Sequence, residues 1–192
     1  MPSALTAPLI LASASPRRRD LLREHGYEFR VIPAKVEESA PPHLTAGEIT
    51  LRNARAKAWA VSKAHPAAIV LGVDTIVAFE GEIFGKPADM KAAFAMASRL
   101  NGQTHEVYSG VWLRHETAKK ERGFVEITRV EFRRLSDSQL RGYLARIGPL
   151  DKAGAYAAQD DRGELIAHVE GSFSNVVGLP MEALAERLKE FA

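Results

Sequence analysis

Ile69-Val70-Leu71-Gly72-Val73 contains no polar side chain and no alternation. A strand written this way is apolar on both faces, so both faces must be covered. It is the buried kind of strand, and it asks for a layered fold with helices packed on a sheet. Asp74-Thr75 follow at once, then a second apolar stretch, Ile76-Val77-Ala78-Phe79. The spacing places Asp74 directly after the buried strand, where charged residues often line sites in α/β sheets. A turn or capping aspartate is the alternative.

The remaining pattern supplies the covering elements. Residues 8–13 read as an apolar strand, and Ser13-Ala14-Ser15 leads from its end to Pro16. Pro16 then opens a helix to about His25, stopped by Gly26. Residues 27–33 read as a second strand and 34–44 as a loop. Thr45 with Glu48 forms a capping box for a helix to about Lys63. Glu80-Gly81 reads as a turn, and Asp89 caps a helix ending near Leu100. Residues 103–114 and 123–133 read as a long antiparallel pair. Val125 and Ile127 fall on one face of the second strand and Val130 and Phe132 on the other, which asks for a bulge near Arg129. Ser136 with Gln139 caps a further helix, 164–169 is a last strand, and Pro180 opens a final amphipathic helix. The expected architecture is α/β with α+β character, on a mixed sheet.

Several groups suit work on an anion. Arg17, Arg18 and Arg19 stand on a first helical turn, where they oppose the helix dipole. A bound phosphate would remove that conflict, because the guanidinium fork matches its oxygens in pairs. Glu37 and Glu38 lie in the loop before the second helix. A second carboxylate beside Asp74 would complete an oxygen site for Mg²⁺, one acid holding the metal and the other taking a proton from water. Lys57 lies in the alanine-rich run Ala54-Arg55-Ala56-Lys57-Ala58, facing either a cleft or solvent. Gly81 to Pro87 is one residue short of a Walker loop and has Pro87 where Ser or Thr would bind Mg²⁺, so it is no P-loop. Lys86 still offers a point charge. Residues 151–159 are mostly small, which permits close backbone approach, and Gln159 suits a base edge.

Composition narrows the partners. The chain has 192 residues, with Lys+Arg 26 against Asp+Glu 24, so an anion site must be local and no nucleic-acid polymer is expected. There is no Cys, which excludes thiolate metal sites and Cys nucleophiles. The six histidines lack zinc-site spacing. No basic residue precedes the apolar residues 4–14, against a secretion signal, and no apolar run approaches the ~20 residues of a membrane span. The expectation is a soluble cytoplasmic protein with no membrane partner.

In order along the chain, several segments resemble the Maf family of nucleotide pyrophosphatases. They are Ser13-Ala14-Ser15-Pro16-Arg17-Arg18, Val36-Glu37-Glu38, Ala54-Arg55-Ala56-Lys57-Ala58 and Gly72-Val73-Asp74-Thr75-Ile76-Val77. Then come Gly85-Lys86-Pro87, Leu100-Asn101-Gly102-Gln103-Thr104-His105, Asp151-Lys152-Ala153-Gly154-Ala155-Tyr156 and Asn175-Val176-Val177-Gly178-Leu179-Pro180. The resemblance implies one domain over residues 1–192. Its fold would be an elongated mixed sheet flanked by helices with a deep cleft, similar to the inosine triphosphate pyrophosphatases. It implies cleavage of a nucleoside triphosphate between the α and β phosphates with a divalent cation, Mg²⁺ or Mn²⁺. It implies that Asp74 is the proton acceptor, that Glu38 assists at the metal with Asp74, and that Ser13, Arg17, Arg18, Lys57 and Lys86 bind phosphates. Arg17, Thr75 and Gln159 match the thymidine/uridine branch, which implies dTTP and UTP as substrates, with house-cleaning of non-standard nucleotides as a role. The alternatives are 7-methyl-GTP or a modified nucleotide, or a nucleotide-binding regulator of cell division without turnover. A homodimer stays open. The chain departs from the family at Ala157-Ala158-Gln159-Asp160, where Gly-Ile-Gln-Gly is usual, and at Gly148, where an acid is usual.

Overall fold

The computed structural model describes residues 5–191; Ala4, where the N-terminal apolar run begins, lies outside the described residues. The elements follow in the order β1 (Leu9–Leu11), α1 (Pro16–Glu24), β2 (Phe29–Val31), α2 (Ala46–Ser62), β3 (Ile69–Phe79), β4 (Glu82–Phe84) and α3 (Met90–Leu100). Then come β5 (Thr104–His115), β6 (Lys120–Phe132), α4 (Asp137–Ile147), β7 (Ile166–Glu170), α5 (Phe173–Val177) and α6 (Met181–Leu188). Seven strands form a mixed sheet in the order β2-β1-β3-β5-β6-β7, with β4 added to β3. β1 runs parallel to both β2 and β3, while β3–β4 and β6–β7 are antiparallel. The short turn between β5 and β6 admits only an antiparallel pair.

The elements arise from local chemistry. Pro16 occupies the first turn of α1. Both capping boxes form: Thr45 and Glu48 open α2, and Ser136 and Gln139 open α4. Asp89 accepts from Ala92 N–H at the start of α3. Glu80 and Gly81 both adopt positive φ, 52° and 79°, in the two-residue β3–β4 turn. Two expectations are corrected. β3 does not stop before Asp74 but runs through it to Phe79. No bulge is needed at Arg129, because Ile127 is exposed while Thr128, Val130 and Phe132 face inward. The register shift against β7 falls instead between Glu131 and Phe132.

The chain divides into two compact units. One comprises the residues up to Thr75, Ser109–Glu126 and those from Gly178 onward; the other comprises Ile76–Tyr108 and Ile127–Val177. β3, β5 and β6 each contribute residues to both.

In the first unit α2 lies hard against β3 and β5. A Cβ on Gly72 would stand 2.1 Å from the Ala54 carbonyl oxygen, and one on Gly110 would stand 2.3 Å from the Thr50 carbonyl carbon. Only hydrogen fits at these two positions. Ala58 and Val61 of α2 pack there with Ile10, Ala12 and Val70. On the outer side of α2, the Arg55 guanidinium lies 4.8 Å from the Trp59 ring centroid and 5.3 Å from that of Trp112, and Arg114 lies 3.7 Å from Trp59. Both indole N–H groups donate to Glu121 Oε2, at 3.1 and 3.3 Å.

The core of the second unit gathers Phe84, Ala93, Leu100, Phe132, Leu140 and Tyr156 among others. His105 is buried in it, edge-on to Phe132 and Tyr156, with Nε2 3.1 Å from the Tyr156 hydroxyl. Burial pulls the His105 pKa down from 6.5 to about 4. Between those values the unfolded chain binds the extra proton, so stability rises with pH and is lost as pH falls from about 6.5 toward 4. For one group the full loss is about 3 kcal/mol. His105→Phe, which keeps an aromatic ring there, should therefore show a smaller drop in Tm between pH 7 and pH 4.5 than the wild type. Equal drops in a pair of thermal melts would remove His105 from the acid response.

Candidate active site

Asp74 sits mid-strand in β3 at 5% exposure, a charge that must be compensated to be buried. Its compensation comes from α2. Lys57 Nζ donates to Asp74 Oδ1 at 2.8 Å and to the Val73 carbonyl at 3.1 Å. Asn53 Nδ2 donates to Asp74 Oδ2 at 2.9 Å. Asn53 and Lys57 are one helical turn apart, so they stand on one face of α2. The tight glycine contacts bring that face within reach of the strand.

Lys57 has a second anionic partner. Its Nζ lies 2.7 Å from Glu38 Oε1, so one buried ammonium joins two carboxylates, one buried and one half exposed. Such a pair is a poor argument for stability, since desolvation offsets the attraction. It is a better argument for a site that accepts positive charge between two acids.

Arg18 is the second buried cation. Its Nε donates to the Gly178 carbonyl at 2.9 Å, and Nη1 to Ser13 Oγ at 2.9 Å and to the Val73 carbonyl at 3.1 Å. Nη2 donates to Thr75 Oγ1 at 3.0 Å. Four of its five N–H groups are thus committed among the described residues. Burial lowers its pKa to about 10, and Asp74 opposes that drop. Arg17 and Glu38 also act on it electrostatically. Thr75 Oγ1 meets Ser109 Oγ at 2.8 Å and the Gly178 carbonyl at 3.3 Å. Accepting from Arg18 and Ser109 while donating to Gly178 uses its full capacity. The first unit therefore gathers Ser13, Arg17, Arg18, Glu38, Lys57, Asp74 and Thr75 around two buried cations and two acids.

The residues from 8 to 191 match the family model described as Maf-like protein. The chain belongs to the Maf family. Relatives of this Maf chain include a protein of Myxococcus xanthus, 48% identical over 93% of this chain and 91% of its own length. One from Pelotomaculum thermopropionicum is 44% identical over 95% and 96%, and one from Gloeobacter violaceus is 42% identical over 97% of each. All three are named dTTP/UTP pyrophosphatase. Among solved structures, a HAM1 protein from Coxiella burnetii superposes with a TM-score of 0.51 over 96% of this chain and all of its own, at 13% identity. That likeness establishes the fold.

Two further residues named from the Maf resemblance belong to the second unit. Lys86 is exposed just after β4. Gln159 is exposed in a 3₁₀ turn, with Nε2 3.2 Å from Asp160 Oδ2. Nearby, Lys152 is buried, donating to the Gly148 carbonyl at 2.9 Å and to Asp151 at 2.5 Å.

Sequence reasoning missed Asn53 and Ser109 in this Maf chain. Asn53 carries a signal: it is a poor helix former inside a helix, one turn before Lys57. Ser109 is a fully buried polar residue flanked by Val107 and Val111 in a strand, and only its hydrogen bond to Thr75 distinguishes it. No helix among the described residues is long and apolar enough to cross a membrane.

Proposed function

We propose that this chain hydrolyses dTTP and UTP to the nucleoside monophosphate and pyrophosphate. The observation that carries the reading is the buried Asp74 carboxylate held by Lys57 and Asn53, with Glu38 on the same ammonium. The names of relatives at 42–48% identity across nearly the whole chain point the same way.

In this mechanism Asp74 accepts a proton from water. The water oxygen bonds to the α-phosphorus, the bond from that phosphorus to the α–β bridging oxygen breaks, and pyrophosphate departs. Donors on both oxygens fix the plane of the Asp74 carboxylate, so its remaining lone pairs have a set direction. Arg18 keeps one N–H for a phosphate oxygen, and its other bonds hold it still. Lys57, Ser13 and Arg17 add to the phosphate field from the first unit. The family resemblance assigns Lys86 to the phosphates as well, and Gln159 to the base. Thr75, whose hydroxyl is fully used, influences the choice of nucleotide by fixing Arg18.

A divalent cation suits this donor set. Glu38 and Asp74 already share one positive charge, that of Lys57, and Mg²⁺ characteristically takes one or two carboxylates together with substrate phosphates and water. No cluster of three or more His, Cys, Asp or Glu stands ready as a metal cage among the described residues. Glu38 and Asp74 would hold the ion, and it would supply charge neutralisation on the phosphates.

The test is a nucleotide panel. Purified protein with Mg²⁺ or Mn²⁺ should release pyrophosphate fastest from dTTP and UTP. Faster release from 7-methyl-GTP would move the base assignment, and tight dTTP binding without release under either metal would replace the enzyme with a binder.

A further inference from the structure

We propose that Asn53 is a positioning residue that locks the Glu38 segment and Asp74 into one register. The inference rests on the pyrophosphatase reading for its kinetic consequence, but its structural content stands without it.

Glu38 lies between β2 and α2, in a stretch with no helix or strand to hold it. Its neighbour Ser39 is tied to α2: the Ser39 N–H donates to Asn53 Oδ1 at 3.1 Å. The other end of the same amide donates to Asp74 Oδ2 at 2.9 Å. The orientation of the amide is forced. A backbone N–H can only donate and a carboxylate can only accept, so oxygen must face Ser39 and nitrogen must face Asp74.

Asn53 is buried at 6% exposure, and asparagine is a costly choice in the interior of a helix compared with alanine. No other residue type of this length offers a donor and an acceptor on opposite arms. Aspartate would keep the Ser39 bond and lose the donor to Asp74. Leucine would fill the volume and lose both. Lys57 cannot replace the tie, because ammonium on a flexible stem fixes charge without fixing direction. Asn53 thus sets where the loop acid stands relative to the strand acid, and Lys57 neutralises them.

The experiment compares wild type, Asn53→Asp and Asn53→Leu by amide exchange at Ser39, measured by NMR, and by steady-state turnover of dTTP. Circular dichroism confirms folding, and Asn53→Ser replaces Asn53→Leu if the latter does not fold. In Asn53→Leu the Ser39 amide should exchange on the order of tenfold faster or more, as expected for one lost hydrogen bond. In Asn53→Asp that amide should stay protected. Both variants should lose kcat by on the order of 10- to 100-fold with KM for dTTP little changed, the loss expected when a bond to a charged group is removed. A folded Asn53→Leu with wild-type exchange at Ser39, or a folded Asn53→Asp with wild-type kcat, would overturn the proposal. If the wild type itself releases no pyrophosphate, the functional reading falls, and the Ser39 exchange rates alone decide whether Asn53 makes the tie.

Discussion

Asp74→Asn should lower pyrophosphate release from dTTP by about 10³-fold, the range that a positioned general base contributes, while nucleotide binding persists. The amide nitrogen cannot take the proton from water. Geometry adds a second cost. Both Asp74 oxygens accept from the protein, one from Lys57 and one from Asn53. An amide has a single oxygen, so one of those donors would face another donor. The substitution should therefore also destabilise the fold by about 1–3 kcal/mol, the usual cost of a buried group left unsatisfied. Thermal melts separate the two effects, because a protein still folded at the assay temperature and still inactive has lost chemistry. A folded Asp74→Asn that turns over dTTP at the wild-type rate would remove Asp74 from the mechanism.

Gly72→Ala should be strongly destabilising for a single added methyl group. The added carbon would lie 2.1 Å from the Ala54 carbonyl oxygen and 2.8 Å from the Ala58 nitrogen. These are backbone atoms of α2 and cannot rotate away, so the helix must retreat from the strand. The cost is on the order of 3 kcal/mol or more, at or beyond the upper end for overpacking. For a chain of this size that is roughly a 10 °C fall in Tm. Turnover should fall with it, because the retreating helix carries Asn53 and Lys57. Gly142→Ala is the matched control: it lies in α4 with nothing within 4 Å of the added carbon, and should be neutral or slightly stabilising. A Gly72→Ala protein melting with the wild type would show that α2 can yield without penalty.

Much of the fold was legible because its signals are local. A proline at a helix start, two capping boxes, a capping aspartate and a Glu-Gly turn each act within four residues, and each appears in the structure. What failed was of longer range. β3 passes through Asp74 because its compensating groups come from residues 21 and 17 positions earlier, which no window on the strand reveals. The β6 pattern asks for a bulge only where every apolar side chain of the strand is inside, and Ile127 is exposed. The short α5 was hidden in Ser174-Asn175-Val176-Val177, too brief to show a period. At the site, residue types could be nominated from sequence, but their division of labour could not. The helix-start position of Arg18 suits a phosphate ligand, yet most of its donors hold Ser13, Val73, Thr75 and Gly178.

The two indoles beside α2 make the protein its own optical label. Trp59 and Trp112 are the only tryptophans, and both belong to the first unit. Trp59 is two positions from Lys57 on the same helix and shares Glu121 with its neighbour. Emission excited selectively at tryptophan therefore reads α2, which carries the ammonium and the amide, together with the stretch of β5 beside it, and leaves out the tyrosines of the second unit. If a nucleotide engages Lys57 as proposed, its arrival should shift that signal without any dye.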